Sequence, residues 1–102
     1  MRWLGFVLCL ALLGTAEAGR YRQGKVSWYA GRSGYVAARH GVARKGDRVV
    51  IARSDGSRAK RFRVCCTARL ARGRVFDLSR GDFRRYALPS RGVTTIRWRK
   101  AI

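Results

Sequence analysis

The chain reads as a mainly β protein: a small closed or nearly closed barrel of about six short strands, with one short helix late in the sequence. Three observations lead there. From Lys25 to Trp98, short runs rich in strand-forming residues alternate apolar with polar positions and are separated by glycine, serine and arginine breaks. Asp55-Gly56 lies between two of the clearest runs, and that dipeptide accepts the positive φ a hairpin turn requires. Ser79 and Asp82 form the S-x-x-D pattern of a helix start, directly after the run Val75-Phe76-Asp77-Leu78.

Before the barrel comes a different kind of segment. Met1-Arg2 is followed by an apolar run over residues 3–13 and then by Ala16-Glu17-Ala18, the pattern of a secretory signal peptide with a small-x-small cleavage site. The run falls short of the roughly 20 residues a spanning helix needs. Cys9 does not follow the small-residue site as a lipid-carrying cysteine should. Residues 1–18 are therefore expected to be removed after Ala18, leaving 19–102 as one small domain that is secreted or periplasmic.

Residues 19–24 are polar and expected to be a frayed lead-in. Residues 25–29 predict the first strand, 31–34 a loop and 35–38 a second extended piece, while 39–46 carry His40 through an irregular connection. Residues 47–52 are the clearest strand of the chain, and 58–66 its hairpin partner across the Asp-Gly turn. A basic loop over 68–73 leads to a strand at 74–79 and a helix at 80–86. Leu88-Pro89-Ser90-Arg91-Gly92 stops that helix, and the last strand covers 93–98.

Charge is the strongest compositional signal: 24 Lys and Arg against 5 Asp and Glu give a formal net charge of +19, which removal of residues 1–18 leaves unchanged because Arg2 and Glu17 cancel. Such an excess favours polyanionic partners, whether wall polymers, anionic lipid or nucleic acid. Export argues against nucleic acid. Patterned Trp28, Phe62, Val64, Phe76, Phe83, Tyr86, Ile96 and Trp98 argue against disorder.

Two cysteines follow the leader, and they are neighbours. On a regular strand Cys65 and Cys66 point to opposite faces, so a bond between them would be strained; extending the inward set Phe62 and Val64 puts Cys66 on the core side and Cys65 among the arginines. Half-buried structural thiols, an intermolecular disulfide through Cys65 and redox chemistry all fit that pattern. One histidine and no C-x-x-C supply too few ligands for zinc, and nothing in the chain calls for a cofactor.

Asp77 ends a short apolar strand just before a helix, a place where side chains meet a groove. Short strands joined by basic loops leave little room for a deep pocket, so an open groove suited to an extended polymer is expected. Structural pairing with backbone or arginine is the other reading of the same carboxylate.

The blocks around these residues resemble a family. Gly24-Lys25-Val26-Ser27-Trp28-Tyr29 is similar to the opening G-x-A-S-W-Y of the rare-lipoprotein-A-like proteins, whose double-psi β-barrel is related to the first domain of expansins. The stretch from Ala37-Ala38 through His40 to Gly46-Asp47-Arg48-Val49 resembles that family's A-A-H…G-T-x-V segment, and residues 74–79 followed by Phe83 resemble its R-V-I-D-L-S-x-x-A-F. Ser90-Arg91-Gly92-Val93 is also similar to the turn into the final strand of many small members.

The resemblance implies a six-stranded double-psi barrel that binds or cleaves wall polysaccharide. Bacterial members act on peptidoglycan as lytic transglycosylases, and expansin-like ones loosen walls without hydrolysis. Two aspartates face the groove in both. The second corresponds to Asp77, and the family spacing puts the first on Cys66, so one carboxylate is missing here. Cleaving a glycosidic bond needs at least a proton donor, and hydrolysis usually needs a second carboxylate. Asp77 is thus the candidate acid, His40 a weaker groove candidate, Trp28 or Tyr29 a stacking face, and Arg74 part of an electrostatic capture surface. One of the two aromatics belongs to the core, since strand neighbours face opposite ways.

The expected function is binding of peptidoglycan or a related wall glycan; whether lytic transglycosylase chemistry through Asp77 accompanies it is left open, because one of the family's two groove aspartates is absent. Two rivals stand beside it: a cationic exported effector acting on membranes or other anionic polymers through charge, and an inhibitor or structural partner of another exported protein, tethered through Cys65.

Overall fold

A computed structural model describes residues 20–101. The expected signal peptide, with its cleavage site and Cys9, lies outside the described residues. Six strands form one closed barrel: β1 (Arg22–Tyr29), β2 (Tyr35–Arg39), β3 (Arg48–Arg53), β4 (Lys60–Ala68), β5 (Arg74–Ser79) and β6 (Val93–Lys100), with one helical turn, α1 (Arg80–Phe83), between β5 and β6. This is the six-stranded barrel with one short helix that the sequence predicts.

Around the barrel the order is β1-β5-β2-β4-β3-β6. β1 runs parallel to β5 and β2 parallel to β4, while the other four pairings are antiparallel. The two parallel pairs lie side by side through the β2–β5 contact and make up one half of the barrel. The hairpin β3–β4 and strand β6 form the other.

Alternation fills the interior. Val26, Val36, Ala38, Val49, Ile51, Phe62, Val64, Phe76, Leu78, Ile96 and Trp98 point inward and are buried, and Phe83 and Tyr86 plug the barrel from beyond β5. Phe76 meets Trp98 edge to face at 5.2 Å. Each large side chain buried here contributes roughly 2 kcal/mol. The Tyr86 hydroxyl is satisfied by donating to the Ile51 carbonyl at 2.7 Å, so the plug carries no unpaired polar atom.

Four sequence expectations need correction. The lead-in is ordered from Arg22, because Arg22, Gln23 and Gly24 pair with Trp98, Arg97 and Ile96 of β6. The second arm of the hairpin starts at Lys60 rather than 58, since Arg58 takes φ 54 in the left-handed region and interrupts the extended run. At the turn, Gly56 (φ 88) closes back on the Arg53 carbonyl. The helix is a single turn rather than seven residues: after Phe83 the chain tightens into bonds from Arg85 N to Asp82 O and Tyr86 N to Phe83 O, yet Phe83 and Tyr86 both still reach the core. Cys66, fourth, is exposed and not on the core side, for the reason given below.

Ser79 caps the helix as its pattern predicts, accepting from the Asp82 backbone N–H at 3.1 Å. The Asp82 carboxylate, however, turns across the barrel. It accepts from Gly34 N (2.8 Å), Ser33 Oγ (3.2 Å) and Lys60 Nζ (3.2 Å), tying together the approaches to β2, β4 and α1. Burial alone would raise its pKa, but hydrogen bonds from Gly34, Lys60 and Ser79 and the Lys60 charge outweigh burial and hold the carboxyl below its usual range.

Candidate functional site

The paired parallel strands bring one row of residues together. The register sets Ser27 of β1 opposite Asp77 of β5, Asp77 opposite Ala37 of β2, and Ala37 opposite Cys66 of β4. Residues directly opposite share a face, and the core positions on either side, Val26, Phe76, Leu78, Val36 and Ala38, show that this face is the outer one. Ala37 and Ser27 are only 5% and 6% exposed although they point outward, so the row is a recess with small side chains on its floor. At ordinary strand spacing Asp77 and Cys66 lie about 10 Å apart across Ala37.

Asp77 is half-buried and accepts a hydrogen bond from the Ser27 hydroxyl. The other described carboxylates are engaged elsewhere. Asp47 accepts from Arg44 N and pairs with Lys100, Asp55 closes the hairpin turn through Ser57, and Asp82 is buried. Among the described residues Asp77 is therefore the one acid in the recess.

Tyr29 and Trp28 divide as strand neighbours must. Tyr29 lies on the outer face beyond Ser27, the hydroxyl end of its ring close against Gly31, where a Cβ would sit 2.5 Å from Tyr29 Cζ. Its hydroxyl is 3.8 Å from Cys65 Sγ. Burial, the hydrogen bond to Cys65 and the negative charge of Cys65, Cys66 and Asp77 push its pKa up to about 12. Trp28 packs on the core, donates Nε1–H to the Pro89 carbonyl at 2.8 Å, and has the Arg80 guanidinium 5.5 Å over its ring. Its free face is already occupied, so Tyr29 is the aromatic of the recess.

The cysteines occupy an irregularity that alternation does not anticipate. Val36 pairs with Val64 but Ala37 pairs with Cys66, so Cys65 is an extra residue on β4. A bulge of this kind sets two residues against one and re-aims them. Both thiols consequently lie on the recess side, with Sγ atoms 2.8 Å apart, Cys65 half-buried and Cys66 exposed. The shared hydrogen bond with Cys65, then burial and the charge of Cys65, push the Cys66 thiol up; Lys45 opposes them.

His40 and Arg74 fall outside the row. His40 is exposed on the turn after β2, its backbone N–H bonded to the Ala68 carbonyl at 3.3 Å. Arg74 opens β5, about 10 Å along the strand from Asp77. Ser27 and Ala37 are the site residues that the sequence reading did not single out; Ser27 could have been found from its two-residue spacing to Tyr29.

The opposite half of the barrel presents a basic wall. Arg48 stands opposite Arg63, Val50 between Arg61 and Arg99, and Ala52 beside Arg97, so five guanidinium groups share one outer surface. The described ion pairs are Lys60–Asp82 and Lys100–Asp47, which leaves these five without a carboxylate partner among the described residues. A dip of about 270 Å³ lined by Tyr21, Arg22, Gln23, Ser54, Ile96 and Arg97 indents its edge.

No protein-family model matches the chain, and no curated protein sequence matches it. Solved structures do. A Streptomyces papain inhibitor aligns at a TM-score of 0.65 and 21% identity, covering 83% of this chain and 97% of that one. A mutant Clavibacter michiganensis expansin in complex with cellohexaose aligns at 0.63 and 18% identity, and the same expansin without ligand at 0.64 and 17%. This chain spans half the length of each expansin chain and 80% of its own. What it shares with these proteins is the double-psi β-barrel fold.

Proposed function

We propose that this chain is an exported member of the rare-lipoprotein-A-like barrels whose recess binds an extended cell-wall glycan, peptidoglycan in particular, with the arginine wall attracting the polymer. The observation that carries this reading is the row Ser27, Asp77, Ala37 and Cys66 with the Tyr29 ring at its margin. A sugar polymer is held through hydrogen-bond acceptors and an apolar ring face, and the half-buried Asp77 carboxylate and the Tyr29 ring support this reading. Asp77 accepts from sugar hydroxyls, Tyr29 takes a ring face, and Arg74 and the wall supply long-range attraction. The cellohexaose bound to the neighbouring expansin supports a polysaccharide as the ligand class.

Binding comes before cleavage in this assignment. Hydrolysis by two carboxylates has only Asp77 to draw on in the recess, with Cys66 where the second would stand. A transglycosylase step would run through Asp77 alone, protonating the leaving oxygen while the sugar's own hydroxyl attacks the anomeric carbon. The test is sedimentation of the chain with insoluble peptidoglycan at low and physiological salt, with mass spectrometry of the supernatant. Retention at physiological salt is expected. Released anhydro-muropeptides would add the lytic step, and loss of all retention as salt rises would overturn groove binding.

The five unpaired wall arginines favour a second reading, capture of anionic polymers or membranes by charge alone. It predicts steep salt dependence and no effect of Asp77. The papain inhibitor, matched over nearly its whole length, directs a third assay at cysteine-protease inhibition.

A further inference from the structure

The glycan reading makes no use of the two thiols beside the recess. We propose that Cys65 and Cys66 form a dithiol modification site, which a low-molecular-weight disulfide converts to a disulfide between these two adjacent residues. On a regular strand the side chains of neighbours diverge; here the bulge at Cys65 turns both to one side and leaves their Sγ atoms 2.8 Å apart. Exposed Cys66 is the entry point, and half-buried Cys65, within 3.8 Å of the Tyr29 hydroxyl, waits behind it. Chelation of a metal by three or more side chains is a poor competitor, because the described residues hold no cluster of three His, Cys, Asp or Glu able to bind one.

The step balances as two exchanges. The Cys66 thiolate attacks one sulfur of the reagent, its S–S bond breaks, and the released thiolate takes a proton. Cys65, deprotonated, then attacks the Cys66 sulfur of the mixed disulfide, forming the Cys65–Cys66 bond and releasing the second thiol. The protein loses two electrons and two protons, and the reagent gains them. Adjacent Cα atoms are about 3.8 Å apart, short of the roughly 4.4–6.8 Å that disulfides usually span, so the bond is strained and readily reduced again. The site is accordingly reversible. Its two states give the recess different edges: two thiols hydrogen-bonded toward Tyr29, or a closed ring.

Full-length chain treated with oxidised glutathione, denatured, alkylated and cut with trypsin tests this directly. Cleavage after Arg63 and Arg69 isolates residues 64–69, which hold both thiols and exclude Cys9. The expected fragment is lighter by two hydrogens and unalkylated. Cys65→Ser and Cys66→Ser should instead retain glutathione on the remaining thiol. Closure in the folded chain should exceed closure in urea by roughly tenfold, because the bulge holds the thiols together. Two alkylated thiols, stable glutathione adducts on the unmutated fragment, fragments linked between two chains, or equal closure in urea would each overturn the proposal.

Discussion

The two halves of this barrel use the same alternation for opposite ends. In the β1–β5–β2–β4 half, outward positions hold Ser27, Asp77 and Ala37, small or hydrogen-bonded residues that sink the surface into a recess. In the β4–β3–β6 half they hold Arg48, Arg61, Arg63, Arg97 and Arg99 around buried Val50 and Ala52, and the side chains that reach solvent there are guanidinium groups. Inward residues are similar in both. Under the proposed function the first side recognises shape and the second attracts at long range, and the two differ in how salt should affect them. Contacts made in the recess persist through screening, whereas the wall acts over distances that physiological salt cuts to about 8 Å.

The sharpest way to break both halves together is to remove Asp82, which bridges them. Asp82→Ala leaves Gly34 N–H, Ser33 and Lys60 without their acceptor and should cost about 3 kcal/mol, read as a fall in the urea midpoint. The same group sets an acid limit. Because its folded pKa lies below the ordinary 3.8, its contribution is complete above that value and is lost as pH falls through the lowered folded value. Urea midpoints measured down the acid range should show that loss in the native chain and a smaller one in Asp82→Asn.

Gly31→Ala separates shape from stability. The new Cβ would strike the Tyr29 ring, so Tyr29 must leave its seat; a stability loss of about 1 kcal/mol and weaker glycan retention at physiological salt are expected. Full retention in that variant would remove Tyr29 from the site. On the wall, Arg97→Ala with Arg99→Ala should weaken low-salt retention by roughly 1 kcal/mol and leave physiological-salt retention unchanged. The smallest effect is a gain. Arg48→Glu replaces a like-charge pair opposite Arg63 with an attractive one and should add roughly 0.5 kcal/mol, seen as a slightly higher Tm.

Much of this was legible in the sequence, and the parts that were not share a cause. Strand alternation puts Phe62 and Val64 inward, where both are buried, and Ser79 announces the strand-to-helix switch because its side chain acts on a neighbour three residues away. Position 77 was readable as a strand-end carboxylate. What pattern alone misses is set by partners distant in sequence. The extra residue at Cys65 exists only in the pairing of β2 with β4, and it inverts the face expected for Cys66. Asp82 looked like a local cap, but its carboxylate is claimed by Gly34 and Lys60. Arg22–Gly24 looked frayed because its pairing partner, β6, lies at the far end of the chain.

The central claim, that the recess and not the wall holds the glycan, turns on one comparison: retention on insoluble peptidoglycan at physiological salt for the native chain and Asp77→Asn. Asp77 is half-buried with Ser27 as its partner, and Asn keeps an acceptor there, so the fold should survive with a stability change within about 1 kcal/mol. The account predicts a strong loss of retention in a folded Asp77→Asn chain. Undiminished retention in that variant would contradict it and move binding to the arginines.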